Sequence, residues 1–339
     1  YCLIAEHHFS NYGQSPSPLM QALYIGQHTK RIKIATAVIV LPIWNPLRLA
    51  EEVAVLDNLI DGRFIVGVGR GYQPHELARF GVKVEDSRTM FNETLEVLVK
   101  AWTQDDSFTY DGEIIKVPNE TTVWPKPLQK PYPPMWVAGT SVDTMVMAAD
   151  WGMMPITTGM MGEGGVSAHL ASLVQATKER GRPYHGPDLG LQSMTLIADT
   201  DELAARDTVY PRWQTRAGRA LNRLDVTNGR VNPTPFEGEQ DDATLMDRLF
   251  FGSPDTVIQK FRRAASFGVT HVSNWMMMGG IPHEKVMRTI KYMGEEVIPA
   301  LKDVRPPDEL YEELAEREPI TNADIQAIRN RGPAPSDVT

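Results

Sequence analysis

Tyr1-Cys2-Leu3-Ile4-Ala5-Glu6-His7-His8-Phe9 is an apolar run that stops at an acid, two histidines and an aromatic. A buried strand reads as a short, nearly continuous apolar run, and this one ends where titratable groups begin. In parallel α/β sheets and barrels, ligands bind at the carboxyl ends of strands. Glu6, His7 and His8 are therefore expected at the mouth of an active site. Adjacent residues at a strand end point to opposite sides, unless the strand has already ended. One histidine is thus expected in the site and the other in a satisfied structural setting.

Outward from this stretch, strand-like and helix-like segments alternate. Helical spacing covers residues 16–30, 47–60, 87–103, 141–151, 166–180, 201–221 and 283–301. A helix from 253 to 267 opens with Ser253 as its cap and Pro254 in the first helical position. Strand patterns cover residues 32–41, 63–70, 135–139, 153–157, 189–198 and 269–276. Residues 108–117 read as a hairpin turned by Asp111-Gly112, and a proline-rich stretch follows to residue 134. Together they form an insertion, residues 105–134. Residues 222–243 are polar and rich in Asn, Gly and Pro, as in a lid-like loop. Beyond residue 302 runs an acidic, proline-punctuated tail with a short helix expected near Leu310.

Seven parallel strands, each followed by a helix, fit a (β/α)8 TIM barrel of α/β class, in which eight strands close. The chain opens without methionine and already inside a strand, so the first barrel strand is expected to precede Tyr1. An open doubly wound sheet is the alternative. Residues 1–301 are read as a single barrel domain and 302–339 as its tail.

The net charge of -9 argues against a nucleic acid partner, because phosphate backbones call for a basic surface. The single cysteine, Cys2, excludes an intramolecular disulfide and a cysteine-based metal site. Within a strand it reads as a small buried hydrophobe. No apolar run approaches the ~18 residues of a membrane span, and no secretory leader pattern is visible. A cytoplasmic location without membrane attachment is the expectation. HxH and HExxH spacings are absent, so no metal is expected at His7 and His8. A metal-dependent barrel hydrolase remains the competing idea on residues alone.

Three further constellations carry chemistry. Gly67-Val68-Gly69-Arg70-Gly71-Tyr72 ends a strand in glycines that let backbone approach a ligand. Arg70 there offers a bidentate fork for phosphate. Asp86-Ser87-Arg88 opens a helix, reading either as an ordinary cap with a solvated arginine or as a second cation for the same anion. Ala138-Gly139-Thr140-Ser141-Val142-Asp143-Thr144 runs from a strand end into a helix start, where hydroxyls and free N–H groups make an anion site. Ile43, Trp44, Trp275, Met276, Met277 and Met278 read either as core or as the dry wall of a pocket.

These pieces resemble, in order and spacing, the bacterial luciferase-like flavin monooxygenases. The resemblance is carried by Glu6-His7-His8-Phe9, Thr36-Ala37-Val38-Ile39-Val40-Leu41-Pro42, Asn45-Pro46-Leu47-Arg48-Leu49-Ala50-Glu51-Glu52 and residues 57–71. It extends through Pro125-Lys126-Pro127-Leu128-Gln129-Lys130-Pro131 to Gly139, and to Gly252-Ser253-Pro254, covering about residues 1–300. It implies a luciferase-like barrel that takes reduced FMN from a separate flavin reductase and activates oxygen toward a small, apolar substrate. His7 would be the catalytic histidine. Arg70 and Arg88 would hold the phosphate, with Ser141 and Thr144 as hydroxyl partners beside Gly139 and Thr140. Ala37-Val38 matches the site of a non-prolyl cis peptide under the flavin ring. The luciferase proper has a reactive cysteine where Gly69 stands, which argues against light emission and leaves oxygen chemistry open. A homodimer or heterodimer is implied. The alternatives on the same barrel are a deazaflavin-dependent hydride-transfer enzyme and a non-catalytic flavin-binding protein.

Overall fold

The apolar run over Phe64–Gly69 becomes a strand buried at every residue. The computed structural model describes residues 1–13 and 15–331, with side chains to residue 328. Two compact units are present, Tyr1–Ala138 with Ala217–Asn232, and residues 139–216 with those from 233 onward.

The first unit comprises β1 (Cys2–Ile4), α1 (Pro18–His28), β2 (Ile34–Thr36), β3 (Ile39–Val40), α2 (Pro46–Leu59), β4 (Phe64–Gly69), α3 (Pro74–Arg79), α4 (Ser87–Thr103), the hairpin β5 (Phe108–Asp111) and β6 (Lys116–Thr121), and β7 (Met135–Ala138). Strands β1, β2, β4 and β7 lie side by side and parallel, with Cys2 opposite Ile34, Ala35 opposite Ile65 and Val66 opposite Met135. All six residues of β4 are buried, as its unbroken apolar run requires. Gly67 lets β4 and β2 close up: a Cβ there would sit 1.7 Å from the Thr36 carbonyl oxygen. Thr36 Oγ1 donates to the Gly67 carbonyl at 2.8 Å and accepts from its N–H at 2.9 Å.

The expected long strand over residues 32–41 is in fact two short ones. The Ala37–Val38 peptide is cis and separates β2 from β3, which runs on along β4 with Ile39 opposite Val68. Apolar patterning carries no trace of that interruption. α2 is started by Asn45, whose side chain accepts from Arg48 N at 3.0 Å, followed by Pro46. The β5–β6 hairpin is anchored by the buried Glu93 of α4, whose carboxylate accepts from the N–H groups of Glu113, Ile114 (3.0 Å) and Ile115 (2.7 Å).

Along the chain there follow α5 (Val142–Trp151), β8 (Met154–Thr158), α6 (Gly162–Glu179), β9 (Gly190–Ile197), α7 (Asp201–Ala205), α8 (Val209–Asn222), β10 (Val226–Thr227), β11 (Arg230–Val231), α9 (Asp242–Arg248), β12 (Phe250–Gly252), α10 (Pro254–Ser266), β13 (His271–Trp275), α11 (His283–Tyr292), α12 (Ile298–Ala300), α13 (Asp308–Ala315) and α14 (Asn322–Arg331). The second unit is centred on β9. Its first half is parallel to β8 and β13, with Gly190 opposite Ile156 and His271. Its last turns pair with β12, Thr195 opposite Phe250. Met194, Leu196, Leu245, Leu249, Phe251 and Met278 pack there as a buried cluster.

Four departures from the sequence expectation have local causes. β12 is only three residues long, too short for periodicity to show. The stretch 222–243 is ordered rather than a plain loop: Asn228 and Gly229, both at positive φ (50° and 72°), turn the β10–β11 hairpin, which belongs to the first unit. Asp241 caps α9 by accepting from Thr244 N at 2.7 Å. The final helix breaks into a π-helical turn at Met293–Val297, just before Pro299. The tail carries two helices, and residues 332–339 of it lie outside the described residues.

Candidate active site

In the first unit, Glu6, His7 and His8 leave β1 toward different partners. His7 Nδ1 is 3.0 Å from Glu76 Oε1, and the same oxygen accepts from the His8 backbone N–H at 2.9 Å. His8 Nε2 is 3.1 Å from Glu6 Oε1. Glu6 is itself buried, and its carboxylate accepts from Val40 N at 2.6 Å and from the Trp44 indole N–H at 3.0 Å. One histidine is thus locked into a packed acid network against Phe80. The other bonds to Glu76 through Nδ1.

Glu76 reaches this place because Pro74 starts α3 immediately after the Gly69-Arg70-Gly71 strand end. Proline at the first helical position followed by an acid in the first turn is a readable start signal. Arg79 Nη1 donates to His75 Nδ1 at 2.8 Å, which leaves His75 Nε2–H to meet the Phe9 carbonyl at 3.3 Å. The short helix therefore holds the histidine loop at three points. Phe9 adopts φ 58° there. Gly13 lies against the His7 ring: it has φ +73°, and a Cβ would sit 2.6 Å from His7 Cδ2. The Tyr12 ring meets His7 edge-on at 4.8 Å between centroids, and Tyr72 stands at 6.2 Å. Asn11 ties the β10–β11 hairpin to the same loop: its N–H donates to Gly229 O at 2.8 Å and its Oδ1 accepts from Val231 N at 3.0 Å.

Arg70 and Arg88 also share this unit. Arg70 Nη1 is 3.4 Å from Ser87 Oγ, the hydroxyl of the first residue of α4. Burial and the neighbouring Arg88 guanidinium hold Arg70 below the usual arginine range. Among the described residues no carboxylate forms an ion pair with either arginine. Asp86, expected as a helix cap, makes no side-chain cap bond; it has helical φ and ψ instead. Gly69, where the luciferase cysteine would stand, faces Val38: a Cβ would lie 2.6 Å from Val38 Cγ2. Ala37 and Val38 are half-buried.

In the second unit, Gly139 leads into α5. A Cβ at Gly139 would lie 2.5 Å from Thr144 Oγ1, so the helix start folds tightly over the strand end. Ser141 caps α5, accepting from Thr144 N at 3.3 Å, and its hydroxyl is 2.9 Å from Thr144 Oγ1. Thr140 is half-buried beside them. The methionine run does not act as one group. Met278 is core, Met277 is exposed, and the Trp275 indole donates to the Met277 carbonyl at 2.7 Å. Among the described residues, no cluster of three or more His, Cys, Asp or Glu could hold a metal ion, and no helix is long and apolar enough to cross a membrane. Sequence reasoning missed Glu76, His75, Tyr12 and Asn11, whose roles depend on contacts between distant segments.

A family model described as luciferase-like monooxygenase matches residues 1–271. The oxygenase component of a flavin-dependent trigonelline monooxygenase from Acinetobacter baylyi is 25% identical over 311 residues, covering 88% of this chain and 84% of its own. Among solved structures, the oxygenating constituent of 3,6-diketocamphane monooxygenase from Pseudomonas putida, in complex with FMN, matches with a TM-score of 0.71 at 21% identity, over 90% of this chain and 89% of that one. An F420-dependent secondary alcohol dehydrogenase, in complex with an F420–acetone adduct, matches with a TM-score of 0.68 at 18% identity, over 89% of this chain and 90% of that one. At these identities the structural likeness shows the fold, that of the luciferase-like TIM-barrel proteins.

Proposed function

Because the chain belongs to the luciferase-like monooxygenase family, we propose that it is the oxygenase of a two-component system. It takes reduced FMN from a separate flavin reductase and uses molecular oxygen to oxidise a small, apolar organic molecule. The observation that carries this reading is the Arg70–Arg88 pair: two guanidinium groups that repel, Arg70 beside a hydroxyl, with no carboxylate in an ion pair with either among the described residues. A pair of that kind suits a dianionic phosphate, which arginine binds through paired N–H donors.

The residues present fit FMN. In the first unit Arg70 and Arg88 would hold its phosphate. In the second, the Ser141 and Thr144 hydroxyls, with the backbone at Gly139 and Thr140, offer the anion donors that the family resemblance assigns to the cofactor. The Ala37–Val38 segment would support the ring near His7. Bound reduced FMN supplies the electrons with which oxygen is activated. His7 then handles the proton. Glu76 at Nδ1 selects the tautomer with its N–H on that side, leaving Nε2 with the lone pair that accepts a proton. Tyr12 and Gly13 restrict how the ring can turn. A dimeric assembly and a cytoplasmic setting belong to the same reading.

Hydride transfer from a reduced deazaflavin is the second reading, favoured by the likeness to the F420-dependent dehydrogenase. Turnover with reduced FMN and with reduced F420, aerobically and anaerobically, across aldehydes, alkanes and sulfonates separates the two. Oxygen-dependent product with reduced FMN supports the proposal. Product formed without oxygen from reduced F420 contradicts it.

A further inference from the structure

The start of α5 is already engaged by a side chain from the far end of the chain. Thr321 and Asp324 cap each other: Thr321 N and Oγ1 donate to Asp324 Oδ2 at 2.9 and 2.6 Å, and Asp324 N donates to Thr321 Oγ1 at 3.2 Å. This reciprocal cap fixes the first turn of α14 and so the position of Asn322. Asn322 Oδ1 accepts from Val142 N at 2.9 Å, and its Nδ2 donates to Asp143 Oδ2 at 3.3 Å. Val142 and Asp143 form the first turn of α5.

The arm that delivers Asn322 is packed in place. Tyr311 and Leu314 of α13 are buried, as is Ile325 of α14. Gln175 Nε2 of α6 donates to the carbonyls of Leu314 and Arg317 at 3.2 and 2.9 Å. Lys178 of α6 pairs with Glu316. The family match ends at residue 271, so this arm lies beyond it.

The first N–H groups of a helix have no intrahelical acceptor and attract anions. At α5 two of those donors are spent on the protein itself. Val142 N goes to the Asn322 amide oxygen, Thr144 N goes to Ser141, and the Ser141 and Thr144 hydroxyls bond each other. An amide oxygen is a neutral acceptor in a place that suits a phosphate oxygen, and the Asn322 amide nitrogen is turned to Asp143.

We propose that the C-terminal arm and the cofactor's phosphate compete for the start of α5, with Asn322 as the competing group, so that the arm sets cofactor affinity. This rests on the assignment of Ser141 and Thr144 to that phosphate. The test uses the full chain, as wild type, Asn322→Ala and Asp324→Ala, titrated with FMN and followed by hydrogen exchange over residues 320–328. Each variant should bind FMN about fivefold more tightly, the equivalent of one hydrogen bond. Saturating FMN should speed exchange across 320–328 in the wild type. Unchanged or weaker binding by both variants, with exchange in the arm slowed or unaltered by FMN, overturns the competition and leaves the flavin reading standing. If no form of the chain takes up FMN, the flavin reading itself falls, and the competition with it.

Discussion

Around His7 the loop is held by hydrogen-bonded carboxylates, whereas Arg70 and Arg88, in the same unit, form no ion pair with a carboxylate among the described residues. Glu76 accepts from both the His7 ring and the His8 backbone, and Glu6 accepts from Val40, Trp44 and His8. Among the described residues Arg70 has the 3.4 Å contact to Ser87 and the repulsion of Arg88. On the proposed reading, the difference is what two kinds of task demand. A proton-transfer group must be oriented before its partner arrives, because a misplaced base loses rate steeply. An anion-binding group must keep its charge uncompensated until the anion supplies it. Orientation is therefore built into one region, and electrostatic frustration is left in the other.

Substitutions should separate the two regions. The largest effect is expected at the oriented one: His7→Ala should lower turnover about 10²–10⁴-fold, the range for a positioned acid–base group. Its affinity for reduced FMN should change little. Steady-state rates and an anaerobic titration on the same variant check both halves. If turnover is unchanged, His7 has no catalytic role.

Glu76→Gln keeps the shape and an acceptor for His8 N but removes the charge facing His7. Turnover should drop about tenfold, KM should hold, and the pH–rate profile should shift, which a purely structural role would not produce. A matching loss in Tm with an unmoved pH profile would make Glu76 a scaffold residue only.

The smallest effect lies away from both regions, in the β5–β6 hairpin. Burial pushes Glu93 up, but N–H donation from Ile115, Ile114 and Glu113 outweighs it and holds the carboxyl below its usual range. A depressed acid stabilises the fold fully above its ordinary pKa near 4.3 and loses that contribution as pH falls through the lower folded value. Protection factors in residues 108–121 should therefore be level from pH 7 to about 5 and fall below about 4. Glu93→Gln should remove that dependence at a cost of about 1–2 kcal/mol.

The sequence disclosed these regions unevenly. The apolar run ending in Glu6-His7-His8, the buried β4 strand and the Ser253-Pro254 helix start could all be read directly, because each is a local pattern of composition or capping. The divergence of His7 and His8 was not a product of strand alternation, since β1 ends at Ile4; it comes from their separate contacts to Glu76 and Glu6. Glu76 could not be found that way, since its contact to His7 spans 69 residues, although Pro74 with Glu76 in the first turn signalled the short helix carrying it. The Asn228-Gly229 pair was a hairpin signal, masked by flanking strands of two residues each. The break at Ala37–Val38 has no expression in hydrophobic periodicity. It was anticipated only through likeness to a known family.

On the proposed reading Arg70 and Arg88, unpaired with any carboxylate among the described residues, hold the phosphate of a reduced flavin. Anaerobic titration of reduced FMN and of reduced riboflavin, which lacks the phosphate, into wild type and the Arg70→Ala, Arg88→Ala double variant tests it most directly. Wild type should prefer reduced FMN over reduced riboflavin by about 100-fold, two charge-assisted contacts at ~1.5 kcal/mol each, and the double variant should bind both alike. Equal affinity of wild type for the two flavins, or a preference for FMN that survives in the double variant, would contradict the account.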